Sequence, residues 1–360
     1  MKVCIIGNGL ISLSLACVLI RKDIHVDILS SGQDIEYDKT RTLGISKSNV
    51  DYFNKEIADI KKILWKINNI KIYTENSNDK EVVNFSNDGQ QIFSIVKNYQ
   101  LYEILKKKLS KNKNIKFDLS MSYKNILKKK YNLIINCDSK HEISNKFFSR
   151  RIEKNYNSNA YITVITHKST EKNNTAVQNF TNKGPIAFLP ISKTKTSVVY
   201  SLRNDNKNNK IDIKGLIKKY NPNYSITKVN ELTKFSLNSS NLRKYFYKNI
   251  LAFGDMLHKI HPLAGQGFNM TLRDIQLLSE IIDKRINLGL NVDSSICVEF
   301  QKKIKDKNFI FSMGIDLIYE IFNFESKVNS KLISKSINMV SRNVSINSFF
   351  KNFADKGLRI

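Results

Sequence analysis

Apolar and polar positions change their period several times along the chain, and each change marks an element. Residues 2–6, KVCII, form an unbroken apolar run, as a strand buried on both faces of a parallel sheet requires. Gly7-Asn8-Gly9 interrupts it. Residues 10–21 then carry Leu10, Leu13, Ala16, Cys17 and Ile20 at helical spacing, and residues 24–29 read as a second strand. Strand, glycine turn, helix and strand within about 30 residues make one βαβ unit. Residues 48–65 read as a helix, 70–73, 82–85 and 91–95 as short strands, and 99–109 as an amphipathic helix. Residues 114–117 and 132–136 read as returning strands. Between 161 and 203 the pattern shifts to separated strands (YITVIT, AVQNFT, IAFLP, TSVVYSL), which predicts an antiparallel layer distinct from the βαβ part. A buried strand at 249–253, a helix at 271–287 and a helical region from about residue 293 complete the pattern.

Composition narrows this picture. With 41% hydrophobic and 25% charged residues, the chain is a folded globular protein, and 360 residues suffice for two or three domain-sized units. The formal net charge of +27 invites a nucleic-acid reading. The excess is carried by 49 Lys against 10 Arg, and Arg is the residue that reads phosphate and guanine bidentately. The lysine runs at 106–108 and 128–130 lie on or beside amphipathic helices, and no nucleic-acid motif is present, so no nucleic-acid partner is expected. Cys4, Cys17, Cys137 and Cys297 form no C-x-x-C pair, which fits a reduced, cytoplasmic setting. No apolar run reaches the roughly 18 residues of a membrane span. Residues 309–324 come nearest but contain Asp316 and Glu320. They read either as a packing helix or as a surface-binding one.

Two segments carry candidate chemistry. In the turn Gly7-Asn8-Gly9-Leu10-Ile11-Ser12, Gly7 permits a tight turn and Gly9 lets a pyrophosphate approach the backbone. Ser12 stands where a third glycine would let helix and strand pack. The acid expected about 20 residues on, for a ribose hydroxyl, is missing: Ser30 occupies that place, and Asp27 lies inside the strand. The second segment is NILAFGDMLHKIHPLAGQGFNMTLRD. A strand ends in Gly254-Asp255, and a loop with Pro262 leads to Gly265-Gln266-Gly267, Phe268 and Asn269 before a helix. A carboxylate just past a strand can accept from ribityl or ribose hydroxyls. Glycines permit backbone approach to a flat ring, and a helix N-terminus points N–H groups at it. His258 and His261 lack a carboxylate or cysteine to complete a ligand set, so no metal is expected.

These residues resemble the second flavin motif of the aromatic-ring flavin monooxygenases. HPLAGQGFNMTLRD is similar in particular to the UbiH/UbiF-type ubiquinone-biosynthesis hydroxylases. The segment R41-T42-L43-G44-I45-S46 resembles the family's arginine segment, GPIAFLP its substrate-domain strand, and R342-N343 its helical tail. The resemblance implies an α/β fold: a Rossmann-like FAD-binding domain, an inserted antiparallel β-sheet substrate domain and a C-terminal helical segment. On this chain the implied boundaries are 1–75, 96–150 and 245–300 for the FAD domain, 76–95 and 151–244 for the substrate domain, and 301–360 for the helical region. It implies FAD as cofactor and NAD(P)H as co-substrate. It also implies hydroxylation of a polyprenylated phenol by O2 through a flavin C4a-hydroperoxide. By position, Gly7, Gly9, Ser12, Arg41, Asp138, Gly254 and Asp255 are implied to hold FAD. Pro262 and Gly265, Gln266, Gly267, Phe268 and Asn269 are implied to face the isoalloxazine, with Pro262, Gly265 and Gln266 at the reacting side.

Other ubiquinone-biosynthesis proteins and a peripheral membrane contact are further expected partners. Three departures stand out: Ser30 for the ribose acid, the bulkier Met256-Leu257 after Gly254-Asp255, and Ser139 for the glycine of an Asp-Gly motif at Asn136-Cys137-Asp138-Ser139. The last bears on nicotinamide use more than on FAD. They leave open an alternative, a non-catalytic or weakly active flavoprotein-like scaffold subunit.

Overall fold

The N-terminal apolar run forms the strand Lys2–Ile6 at the centre of a parallel sheet. It pairs on one side with His25–Ser30 and on the other with Leu133–Asn136, so Ile5 lies between Ile28 and Ile135. Ile250–Ala252 and the edge strand Phe246–Tyr247 extend the sheet one way, and Ile115–Leu119 the other. The computed structural model describes residues 1–30, 39–75, 81–86, 90–204, 212–328 and 352–357. The Arg342-Asn343 segment of the expected helical tail lies outside them.

Helix Leu10–Ile20 crosses this sheet. Its apolar spacing suggested one buried face, yet every residue except Ile11 is buried. It is covered by the sheet beneath and by helices Asn98–Leu109 and Gln266–Asn287 above. An all-round apolar helix is what such a sandwiched position demands.

The second layer is a large sheet built on the long strand Arg151–His167. Its order runs His258–Lys259, Thr233–Leu242, Arg151–His167, Lys195–Arg203, Gly184–Pro190, Thr175–Thr181, Asn69–Thr74, Val83–Ser86. Pairing is antiparallel except where Thr175–Thr181 meets Asn69–Thr74. Strand Asn69–Thr74 therefore sits in this sheet, although the sequence boundary at 75 grouped it with the nucleotide half. One face packs on the short helix Ile213–Lys219 through Ile165, Phe188 and Tyr200. A three-stranded sheet of Thr42–Ser46, Phe93–Lys97 and Trp65–Ile67 lies between the two halves.

The expected helix at 48–65 is broken. It runs as Lys47–Tyr52, a wider turn at Phe53–Ile57 and a tight turn at Lys61–Ile63 before the strand Trp65–Ile67. Side chains end it: Asn54 Oδ1 accepts from the Ile60 N–H at 2.9 Å, and Asp59 Oδ1 from the Lys61 N–H at 3.0 Å. The long helix Ser294–Val328 then spans both halves. Phe300 packs by Phe253 in the first, and Phe322 stacks on Phe180 in the second at 3.9 Å.

Candidate functional site

The C-terminal ends of three neighbouring parallel strands converge. Gly7 follows Ile6, Cys137 and Asp138 follow Asn136, and Gly254-Asp255 follow Phe253. In a parallel α/β sheet, ligands bind at this edge, where the connections diverge to opposite sides. Gly7 has φ 104°, a left-handed value, and its N–H donates to Leu29 O at 2.7 Å. A Cβ on Gly7 would meet Ser12 Oγ at 3.4 Å and Asp138 Cβ at 3.6 Å, ordinary contacts, so the glycine is required by its φ and not by crowding. Helix Leu10–Ile20 starts at Gly9 with neither a side-chain cap nor an acidic residue in its first turn. Its leading N–H groups and the positive end of its dipole stay available to an anion.

Gly254 ties the second signature to the first. Its φ is 68°, and a Cβ there would land 2.9 Å from Ile11 Cδ1. Asp255 is reachable by water but enclosed by protein on most sides. Burial raises its carboxyl above the ordinary value, while His258, Lys259 and Arg41 pull it down. Arg41 thus shares a charge environment with Asp255, and its guanidinium lies over the Phe235 ring at 5.4 Å. Cys137 beside them is pushed up to about 12, chiefly by burial, and stays a thiol.

The departures resolve structurally. Met256 and Leu257 turn into the core, so their bulk leaves the cleft unobstructed. Met256 Sδ lies 3.5 Å from Ser144 Oγ. Asp27 is buried and accepts from Tyr131 Oη at 2.5 Å and Lys2 Nζ at 2.8 Å, so it is committed to the sheet. Asp138 Oδ1 accepts from the Lys140 N–H at 2.8 Å, and Ser144 Oγ donates to Asp138 O at 2.6 Å. Ser139 is exposed and is not in the left-handed region, so the turn runs without the backbone freedom of a glycine.

The Pro262 loop enters helix Gln266–Asn287 through Gly265, which has φ 62°. That left-handed residue starts the helix five positions ahead of the expected 271. The helix N-terminus has no side-chain cap and no acid in its first turn. Gln266 is buried, and its Oε1 has no partner among the described residues. Phe268 is buried, and Gly267 half-buried. Asn269 is fully buried and its amide is saturated. Nδ2 donates to Gly44 O at 2.9 Å and Gly265 O at 3.1 Å, and Oδ1 accepts from the Ser46 N–H at 2.8 Å and Asn49 Nδ2 at 3.0 Å. With no hydrogen-bonding capacity left over, Asn269 serves to fasten the loop to strand Thr42–Ser46.

Gly44 is required there, since a Cβ would fall 1.7 Å from Phe93 Cζ. Residues 352–357 brace the same strand: Ser46 Oγ and Ser48 Oγ each donate to Asp355 O at 3.0 Å, and Asp355 Oδ1 accepts from the Ser48 N–H at 2.9 Å. Behind the loop, His258 Nε2 donates to Asp274 Oδ2 at 2.5 Å, and Asn308 Nδ2 donates to Asp274 Oδ1 at 3.0 Å. This network joins the motif to the long helix. His261 Nδ1 accepts from the Leu263 N–H at 3.2 Å, and its ring lies between Tyr156 and Tyr319. Burial first and Lys154 second push its pKa down to about 4.

A glycine turn with left-handed Gly7, two uncapped helix N-termini and an orphaned buried amide oxygen surround one edge of the sheet. The helix N–H groups suit the pyrophosphate and the electron-rich ring edge of FAD, and the Gln266 oxygen can accept from one of the ring's N–H groups. No family model matches the chain. Ubiquinone biosynthesis monooxygenase COQ6 of Danio rerio is 22% identical over 213 residues, covering 48% of this chain and 44% of that protein. The 3-demethoxyubiquinol 3-hydroxylase of Escherichia coli K12 is 30% identical over 154 residues, 41% of this chain and 39% of that one. These two relatives are named as a ubiquinone-biosynthesis monooxygenase and a demethoxyubiquinol hydroxylase.

The chain spans about half the length of the curated relatives it matches. Similarity of fold extends further. The p-nitrophenol 4-monooxygenase PnpA of Pseudomonas putida has a TM-score of 0.77 at 12% identity, covering 99% of this chain and 98% of that one. HpxO of Klebsiella pneumoniae, solved with FAD and uric acid, has a TM-score of 0.74 at 10% identity over 99% and 97%. The α/β fold with parallel and antiparallel sheets and C-terminal helices is that of these monooxygenase structures. Sequence reasoning missed Ser46, Asn49, Phe93 and Asp355 as supports of the site. Asn49, three residues past the end of strand Thr42–Ser46 and inside the following helix, carries no local signal of its partner.

Proposed function

We propose that this protein is an FAD-dependent monooxygenase that hydroxylates the aromatic ring of a polyprenylated phenol in ubiquinone biosynthesis, with NAD(P)H and O2 as co-substrates. The observation that carries this is Gly254 seated on Ile11, which brings the two glycine signatures into one cleft. Gly7, Gly9, Ser12 and the N-terminus of Leu10–Ile20 hold the pyrophosphate, with Asp138 beside them. Arg41 and Asp255 bind the ribityl and phosphate region. Pro262, Gly265, Gln266, Gly267 and Phe268 line the ring, and the N-terminus of Gln266–Asn287 stabilises negative charge there. Bound FAD supplies the activation of oxygen; the chain orients the phenol and excludes water.

The face of the large sheet turned to this cleft supports an apolar substrate. Ala187 and Val199 are half-buried there, while Thr42 Oγ1 donates to Ser197 Oγ at 3.0 Å at its edge. The scaffold alternative is not favoured, since the relatives are named as monooxygenases and hydroxylases. The test is reconstitution with FAD. A yellow protein should oxidise NAD(P)H faster when a short-chain prenylphenol is added and yield a product heavier by one oxygen. Failure to take up FAD overturns the reading.

A lipid-tailed substrate resides in a bilayer. Among the described residues, no helix is long and apolar enough to cross a membrane. On helix Ser294–Val328, Phe311, Ile315 and Phe322 are buried, while Ile310, Met313, Leu317 and Phe324 are exposed, with lysines at 302, 303, 305 and 307 nearby. This stripe supports peripheral contact with an anionic surface. Co-flotation with phosphatidylglycerol vesicles, lost in Leu317→Glu, is the expected result; no flotation of the parent protein removes the contact.

A further inference from the structure

A second cavity, of about 280 Å³, opens between strands Arg151–His167 and Lys195–Arg203 and the end of helix Ser294–Val328. Its Arg203 end is remote from the flavin cleft, while its Tyr156 and Tyr319 wall packs in one cluster with Ala160 and Phe235. Ser197, which touches Thr42, lies six residues from Arg203 on one extended strand, a span of about 20 Å. Tyr156 and Tyr319 line this cavity, and His261 packs against both, at 4.8 Å and 4.4 Å between ring centroids.

The lining mixes donors and acceptors: Asn323 Nδ2 donates to Glu320 Oε2 at 3.3 Å, Tyr156 Oη donates to the buried Asp316 carboxylate, and the free donors lie on the Asn155, Asn157 and Arg203 side. Asn155 Oδ1 accepts from the Asn157 N–H at 2.8 Å, Asn157 Oδ1 from Asn204 Nδ2 at 3.4 Å, and Asn204 Oδ1 from Asn159 Nδ2. With these amide oxygens engaged, their remaining capacity is largely N–H. Lys154 Nζ is shared with Glu320 at 2.9 Å, so Glu320 is neutralised within the lining. Arg203 has no ion-pair partner among the described residues, and its Nε is buried without a hydrogen bond. A buried guanidinium N–H left unpaired is costly, and a guanidinium matches a carboxylate or phosphate bidentately.

We propose that this cavity binds a small carboxylate- or phosphate-bearing anion, with Arg203 as its principal ligand and Lys154 and the asparagine amides as supporting donors. A neutral ligand gains nothing from the uncompensated charge, and a cation is repelled by it. Because the site stands on the second sheet and its helix, it holds whether or not the flavin reading does.

The experiment is calorimetric titration of the full-length protein with sodium phosphate and, separately, sodium benzoate, at constant ionic strength. Saturable binding of one anion is expected, and the anion that binds names the class. Arg203→Gln should weaken it about tenfold or more, the loss of one charge-assisted contact. Lys154→Gln should weaken it less, and Glu320→Gln should tighten it. Lys62→Gln, an exposed lysine on another element, should leave it unchanged. Thermal unfolding of each variant separates loss of the site from loss of the fold. Absence of saturable binding by either anion, or an equal loss in Lys62→Gln, overturns the proposal.

Discussion

Asn49 donates from Nδ2 to Oδ1 of Asn269 at 3.0 Å, joining residues 220 positions apart inside the protein. The same Asn269 amide holds Gly44, Ser46 and Gly265. Replacing Asn269 by Ala strands several buried backbone and side-chain groups at once. The expected cost is on the order of 3 kcal/mol of folding stability. Asn49→Ala removes one partner and should cost less. Urea unfolding of both variants checks the order.

The contact of Gly254 with Ile11 predicts a defect with a specific remedy. Gly254→Ala places a Cβ against Ile11 in a left-handed backbone, a loss of about 2 kcal/mol. Adding Ile11→Ala should recover part of it, because only the clash is relieved and the φ of 68° remains. Denaturation midpoints of the single and double variants report the coupling.

Asp255 tests the cofactor assignment. If its carboxylate accepts from flavin hydroxyls, Asp255→Asn should weaken FAD binding about tenfold or more while the fold persists. Quenching of flavin fluorescence on titration gives the constant. An unchanged constant would detach Asp255 from the cofactor.

His261 predicts a pH dependence. Burial holds its folded pKa near 4, below the ordinary 6.5, so the unfolded chain binds the proton first. Above about pH 6.5 both states are neutral and the residue contributes no slope. As the pH falls from 6.5 towards 4, stability should drop by on the order of 3 kcal/mol. His261→Phe should flatten this segment of the stability profile, measured by unfolding at fixed ionic strength.

The parts of the site legible in the sequence are those whose chemistry is local. Gly7, Gly9, Gly254, Gly265 and Asp255 stand at strand ends and helix starts, where backbone geometry dictates residue type within a few positions. The central strand was legible because burial on both faces leaves an unbroken apolar run. Asn49, Phe93 and Asp355 act across long separations, and nothing in their own neighbourhoods records the partner. The helix expected over 48–65 was interrupted for a related reason. The Asn54 and Asp59 side chains compete for backbone N–H groups, and apolar spacing does not register that competition. The turn of Met256 and Leu257 into the core was equally hidden, since bulk in a motif does not say which way it points.

The clasp of Asp355 on Ser46 and Ser48 sets an order of events during synthesis. The strand that carries Gly44 and Ser46 leaves the ribosome early, and the segment that braces it follows some three hundred residues later. At translation rates of about 5–20 residues per second, that interval is roughly 15–60 seconds. The central strand Lys2–Ile6 likewise waits for Leu133–Asn136, which in turn waits for Ile250–Ala252. Until each partner arrives, the nascent sheet carries an apolar strand with one unpaired edge. The protein therefore relies on its surroundings to shield strand Lys2–Ile6 until Leu133–Asn136 arrives.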